Sequence, residues 1–124
     1  MIIWGISYKS YIFVGNKSDK LMPRPQHDDF YSDIYNMVAQ IPAGCVVTYG
    51  ELARLAGWPQ HARMVGRALR EAPPALHLPC HRVVNAAGRT APGWAEQPQL
   101  LRAEGVVFKP NGCVDMRVSA YQPL

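Results

Sequence analysis

Two short amphipathic stretches, separated by Trp58-Pro59-Gln60, constrain this chain more than any other feature. In the first, Leu52 and Leu55 supply the apolar side and Gly57 marks the end. In the second, from about His61 to Glu71, Val65, Ala68, Leu69 and Ala72 share one face, while Arg63, Arg67 and Arg70 share another at spacings of four and three. Pro59 keeps the two from fusing into one helix. Two helices with apolar backs and a tight turn between them predict a helix-turn-helix, its second helix turning arginines toward a nucleic acid. Thr48-Tyr49-Gly50-Glu51 has the form of a capping box at the start of the first helix, with Thr48 and Glu51 each satisfying the other's backbone N–H. Gly66 lies among the arginines. Its missing side chain suits either close approach of the helix backbone to DNA or tight packing against a neighbouring helix.

Charge supports the first role. Between Gln60 and Arg89 stand Arg63, Arg67, Arg70, Arg82 and Arg89 against the single acid Glu71, an excess equal to the +4 of the whole 124-residue chain. An anionic partner follows naturally, and a solvated helix face is the plainer alternative. With 48% hydrophobic and 18% charged residues, the length fits one domain. No apolar run approaches the roughly 20 residues of a membrane span. The N-terminus lacks the parts of a secretory signal, so a cytoplasmic protein with no membrane partner is expected. Three cysteines without framework spacing argue against a disulfide scaffold, and neither a Cys-x-x-Cys pair nor clustered histidines suggest a metal. No cofactor is called for.

Elsewhere the chain divides readily. Residues 1–26 read as an N-terminal appendage, with apolar and aromatic residues from Ile2 to Val14, a polar run at Asn16–Lys20, and prolines at 23 and 25. Residues 27–118 read as the folded domain. Phe30, Ile34, Met37, Val38 and Ile41 predict a helix from Asp28 that stops by Pro42. Cys45-Val46-Val47 is a short strand or connector, with Cys45 in packing. Asn85 and Gly88 bound a turn, a helix should run from about Ala95 to Glu104, and Val106–Phe108 with Cys113–Met116 form a terminal hairpin around Pro110-Asn111-Gly112.

Pro79-Cys80-His81-Arg82-Val83-Val84 carries the chemistry. A cysteine beside a histidine and an arginine, at the mouth of a short buried strand, is a candidate thiolate nucleophile, because nearby positive charge lowers a thiol's pKa. Cys80 as a small buried hydrophobe beside a core histidine is the alternative.

Together with Ile41-Pro42-Ala43-Gly44, Thr48 to Ala53, Ala62 to Gly66 and Leu101-Arg102-Ala103-Glu104-Gly105, that motif resembles the C-terminal DNA-binding domain of the O6-alkylguanine-DNA alkyltransferases. The resemblance implies a mainly α, winged-helix domain with short strands that docks in the minor groove of double-stranded DNA containing alkylated guanine and flips the base. Carried over, Cys80 is the alkyl acceptor in a single-turnover S-methyltransferase reaction, His81 its base through a water, and Glu104 the group that orients His81. Arg63 is the finger that fills the gap left by the flipped base. Tyr49 presses on the target phosphate, and Gly66, Arg67, Arg70 and Arg82 join them on DNA. Pro79 and Trp94 line the lesion pocket. The chain also departs from the family. Ala72 stands where an asparagine is usual, and the loop from Arg89 to Gln97 is short and lacks a tyrosine. In this it is similar to the alkyltransferase-like proteins, monomers that sense lesions and hand them to nucleotide excision repair, although those usually replace the cysteine.

Overall fold

The structure, a computed structural model, describes residues 26–122, so the appendage expected over residues 1–26 lies outside the described residues except for Gln26. The first helix, α1, spans His27–Val38, with Asp28 and Asp29 at its positive end. It buries Phe30, Ile34, Met37 and Val38. It ends one turn short of Pro42, closing with tight bonds from Gln40 N to Met37 O and from Ile41 N to Val38 O. Strand β1 (Val47–Thr48) leads directly into α2 (Tyr49–Leu55), and α3 (Ala62–Arg70) follows the Trp58 turn. Thr48 Oγ1 accepts from Glu51 N at 3.0 Å, one half of the expected capping box. The other half is replaced. The Glu51 carboxylate takes both Nε and Nη2 of Arg54, one turn further along the exposed side of α2.

Helices α1, α2 and α3 pack on one another, and their apolar faces meet Val47 and Val83 in the main core. Truncating a side chain as enclosed as Ile34, with no exposed surface, costs about 2–5 kcal/mol. One polar group is drawn into this core. Burial pushes the Asp33 carboxyl on α1 up to about 6, and the nearby charge of Asp29 adds to the shift.

Strand β2 (Val83–Val84) pairs with β1 in parallel, Val47 opposite Val83 and Thr48 opposite Val84, so α2 and α3 lie in the connection between the strands. On its other side, Val46 bonds to Ser119 O and Tyr121 N, clasping the C-terminal segment. Val46, Val84, Leu101, Val106 and Val114 make a second cluster beneath α4 (Glu96–Ala103). The expected terminal hairpin forms but is short, with one antiparallel bridge, Phe108 with Val114, flanked by bonds from Lys109 N to Cys113 O and from Asp115 N to Val107 O. Its second arm stops early because Asp115 accepts from Arg117 N and caps a four-residue helix, α5 (Met116–Ser119). Gly88 pins this region to the Asn85 turn. At φ +84° an added Cβ would lie 2.5 Å from Val114 O, so only glycine fits there.

Candidate active site and nucleic-acid face

Cys80, His81 and Arg82 form a single 3-10 turn feeding straight into β2, which places the cysteine at the strand's mouth as its sequence suggested. Pro79 O accepts from Arg82 N and closes the turn. Behind it stands Glu104, just past the end of α4. His81 Nε2 lies 2.9 Å from Glu104 Oε2. Arg82 grips the same carboxylate with Nε at 2.9 Å and Nη2 at 2.7 Å, while its Nη1 donates to Ile41 O at 2.7 Å. These bonds hold Glu104 down at about 2, Arg82 contributing first and His81 after it, against an opposing effect of burial. A carboxylate can only accept, so Nε2 of His81 carries the proton and Nδ1 is the basic nitrogen.

Two expectations change at this turn. Arg82, grouped by sequence with the DNA-facing arginines, points inward and commits donors from all three guanidinium nitrogens to Glu104 and Ile41. Nor is the Cys80 thiol lowered. Burial pushes it up, only partly opposed by a backbone hydrogen bond, because the adjacent Arg82 charge is already neutralised by Glu104.

The other predicted residues lie on the arginine helix, at the start of α2 and on the loop before α4. Arg63, Arg67 and Arg70 are all exposed along α3, while Val65 and Ala68 face the core. Gly66 does not serve packing. A Cβ built there would approach only the flexible Arg70 Nη1, at 3.9 Å, leaving the backbone open between the arginines. Tyr49, half-buried at the start of α2, has its phenol pKa raised, chiefly by burial, with the charge of Arg70 opposing and Cys80 adding to the shift. Trp94 is half-buried on the loop before α4.

One residue of this region escaped sequence reasoning. Gln97 is only 1% exposed, and its amide donates to His81 O at 2.9 Å and Val83 O at 3.0 Å while accepting from Ala91 N at 2.7 Å. The available signal was its place four residues before Leu101, which puts a polar side chain on the apolar face of α4.

The family model described as "6-O-methylguanine DNA methyltransferase, DNA binding domain" matches residues 29–106, well over half of the chain. The chain belongs to this methyltransferase family. The Escherichia coli (strain K12) DNA base-flipping protein is 43% identical over 95 residues, covering 74% of each chain. Alkyltransferase-like protein 1 of Schizosaccharomyces pombe is 43% identical over 84 residues, 64% of this chain and 78% of its own. The S. pombe Atl1 structure in complex with damaged DNA containing O6-carboxymethylguanine superposes with a TM-score of 0.71 at 35% identity, covering 80% of this chain and all of that one. The methylated-DNA--protein-cysteine methyltransferase of Methanosarcina acetivorans is 37% identical over 92 residues, 72% of this chain but 59% of its own length. Membership confirms the family resemblance and the mainly helical fold with its short sheet, and the relatives include both base-flipping proteins and methyltransferases.

Proposed function

We propose that this protein recognises O6-alkylated guanine in duplex DNA, flips it from the stack and takes the alkyl group onto Cys80. The observation that carries the reading is the Cys80 turn, backed by His81 and Glu104 and set beside an exposed arginine helix with an open glycine backbone. Flipping is needed because O6 of a stacked guanine is out of reach of a side-chain sulfur. Arg63 stacks into the vacated position, Tyr49 meets the target phosphate, and Arg67 and Arg70 hold the backbone. In the chemical step the thiol proton passes through a water toward His81 Nδ1 and the sulfur attacks the alkyl carbon. An S–C bond forms as the C–O6 bond breaks, and its electron pair leaves with the guanine, which takes up a proton from solvent. Arg82 acts on this step through Glu104.

A second reading has its own support. The raised Cys80 thiol, the tyrosine-free loop and the similarity to a base-flipping protein fit a damage sensor that holds the lesion unchanged for nucleotide excision repair. Both readings place the protein on DNA as a monomer in the cytoplasm, with residues 27–118 as the working domain. Both also predict tighter binding to a duplex with one O6-methylguanine than to its unmodified twin. Equal affinity for the two duplexes in a competition titration would remove lesion recognition from the account.

A further inference from the structure

The buried amide of Gln97 bridges two segments that face the lesion. Its two N–H groups reach His81 O and Val83 O, which flank the Cys80 turn, and its oxygen receives Ala91 N from the loop carrying Trp94. Within the loop Trp94 N bonds to Ala91 O and Gln97 N to Trp94 O, and its first residue, Arg89, is tied to Asn85, so the amide is the side-chain link from Ala91 to the Cys80 turn. No other side chain of this size supplies two donors and one acceptor from one planar group, and rotating the amide would set its oxygen against two carbonyls. We infer that Gln97 is a positioning residue, fixing the Cys80 turn and the Trp94 loop at one mutual distance. It touches neither DNA nor the reacting atoms. The inference rests on the reading of Cys80 and Trp94 as lesion-pocket residues.

With Gln97 in place, neither wall of the pocket moves alone. The amide takes the carbonyls of His81 and Val83 on either side of Arg82, and Cys80 stays partly buried. Gln97→Met keeps the length and apolar stem but removes all three bonds. The turn then loosens, the sulfur becomes more exposed, and the thiol moves back toward an ordinary cysteine.

The test is the rate of labelling of Cys80 by iodoacetamide against pH, measured by peptide mass without DNA, with Cys45 and buried Cys113 as references in the same molecule. The expected result for Gln97→Met is a Cys80 profile shifted to lower pH, with a rate near pH 8 raised by on the order of 10-fold while Cys45 and Cys113 keep theirs. An unmoved Cys80 profile, or all three thiols rising together, overturns the inference for the turn. Ala91→Pro then examines the loop arm with the amide intact, since proline removes the donor at residue 91 while fixing that residue's φ. It should leave the Cys80 profile alone and cut the preference for O6-methylguanine duplex over unmodified duplex by about 10-fold, in line with the cost of a small misplacement of a binding group. An unchanged preference overturns the loop arm. Should the wild-type protein show no such preference, lesion recognition fails, and the DNA-free labelling still decides the role of Gln97 at the turn.

Discussion

His81 Nε2 stands 2.9 Å from Glu104 Oε2, and that contact determines which face of the imidazole can accept a proton. Because Glu104 stays ionised down to about pH 2 under the grip of Arg82, it can only accept, so a neutral His81 carries its proton on Nε2 and offers Nδ1. The motif's histidine and arginine are thus two arms on one carboxylate, 23 and 22 residues away in sequence. Cys80 sits in front of this assembly, not inside it. Its burial raises the thiol.

Arg63 should matter for more than its charge. Arg63→Ala is expected to weaken binding to O6-methylguanine duplex far more than Arg89→Ala, because a residue that replaces a flipped base acts by stacking and hydrogen bonding within the duplex. Fluorescence anisotropy against both duplexes measures this. For unmodified DNA both variants should lose affinity modestly, and wild-type binding should fall steeply between roughly 50 and 200 mM salt. Equal losses on the modified duplex would reduce Arg63 to a phosphate contact.

Gly66 separates DNA approach from packing. Its open surroundings predict that Gly66→Ala leaves the fold intact and strengthens α3 by about 0.5–1 kcal/mol, as alanine does within a helix. Gly66→Leu should also fold but bind DNA at least about 10-fold more weakly, since its side chain meets the duplex first. Thermal melts read beside anisotropy decide the matter. A large loss of stability in either variant would return Gly66 to packing.

Two carboxyl groups pull the pH dependence of stability in opposite directions. Glu104, depressed to about 2, contributes stability that is fully present above its ordinary pKa near 4.5 and is lost as pH falls from there toward 2. Asp33, raised to about 6, opposes folding once ionised, so its cost appears as pH rises from about 4 through 6. Glu104→Gln should therefore destabilise the domain at pH 7 by about 2–3 kcal/mol, a difference that shrinks on acidification below pH 4. Asp33→Asn should stabilise it at pH 7 by about 1–3 kcal/mol and have little effect near pH 3.5. Urea midpoints across this range check both signs.

The helices were legible because their apolar faces recur at 3.6-residue spacing; α3 and α4 lie within a residue or two of where that pattern puts them, and α1 starts there but ends three residues early, before Ile41. Hydrogen bonds that skip along the chain were not. Asp115 looked like the continuation of a strand, yet its side chain caps α5. Arg82 looked like a neighbour that would acidify Cys80, yet its charge is taken by a glutamate that sequence adjacency does not reveal. Gly66 and Arg63 could be placed on the outer face from sequence, whereas the choice between packing and open backbone for Gly66 needed coordinates. Gln97 stood in an apolar register, and only the fold shows which carbonyls its amide meets.

The claim that Cys80 accepts an alkyl group is tested most directly by the protein's own mass. Incubated with a slight excess of duplex carrying one O6-methylguanine, the protein should gain one methyl group per molecule in a single turnover. Peptide mapping should place it on Cys80, and Cys80→Ser should gain none while still preferring the modified duplex. His81→Ala should slow the gain by about 100-fold or more, the usual contribution of a positioned base. Tight, lesion-selective binding with an unchanged mass would contradict transfer and leave the protein a sensor of alkylated DNA.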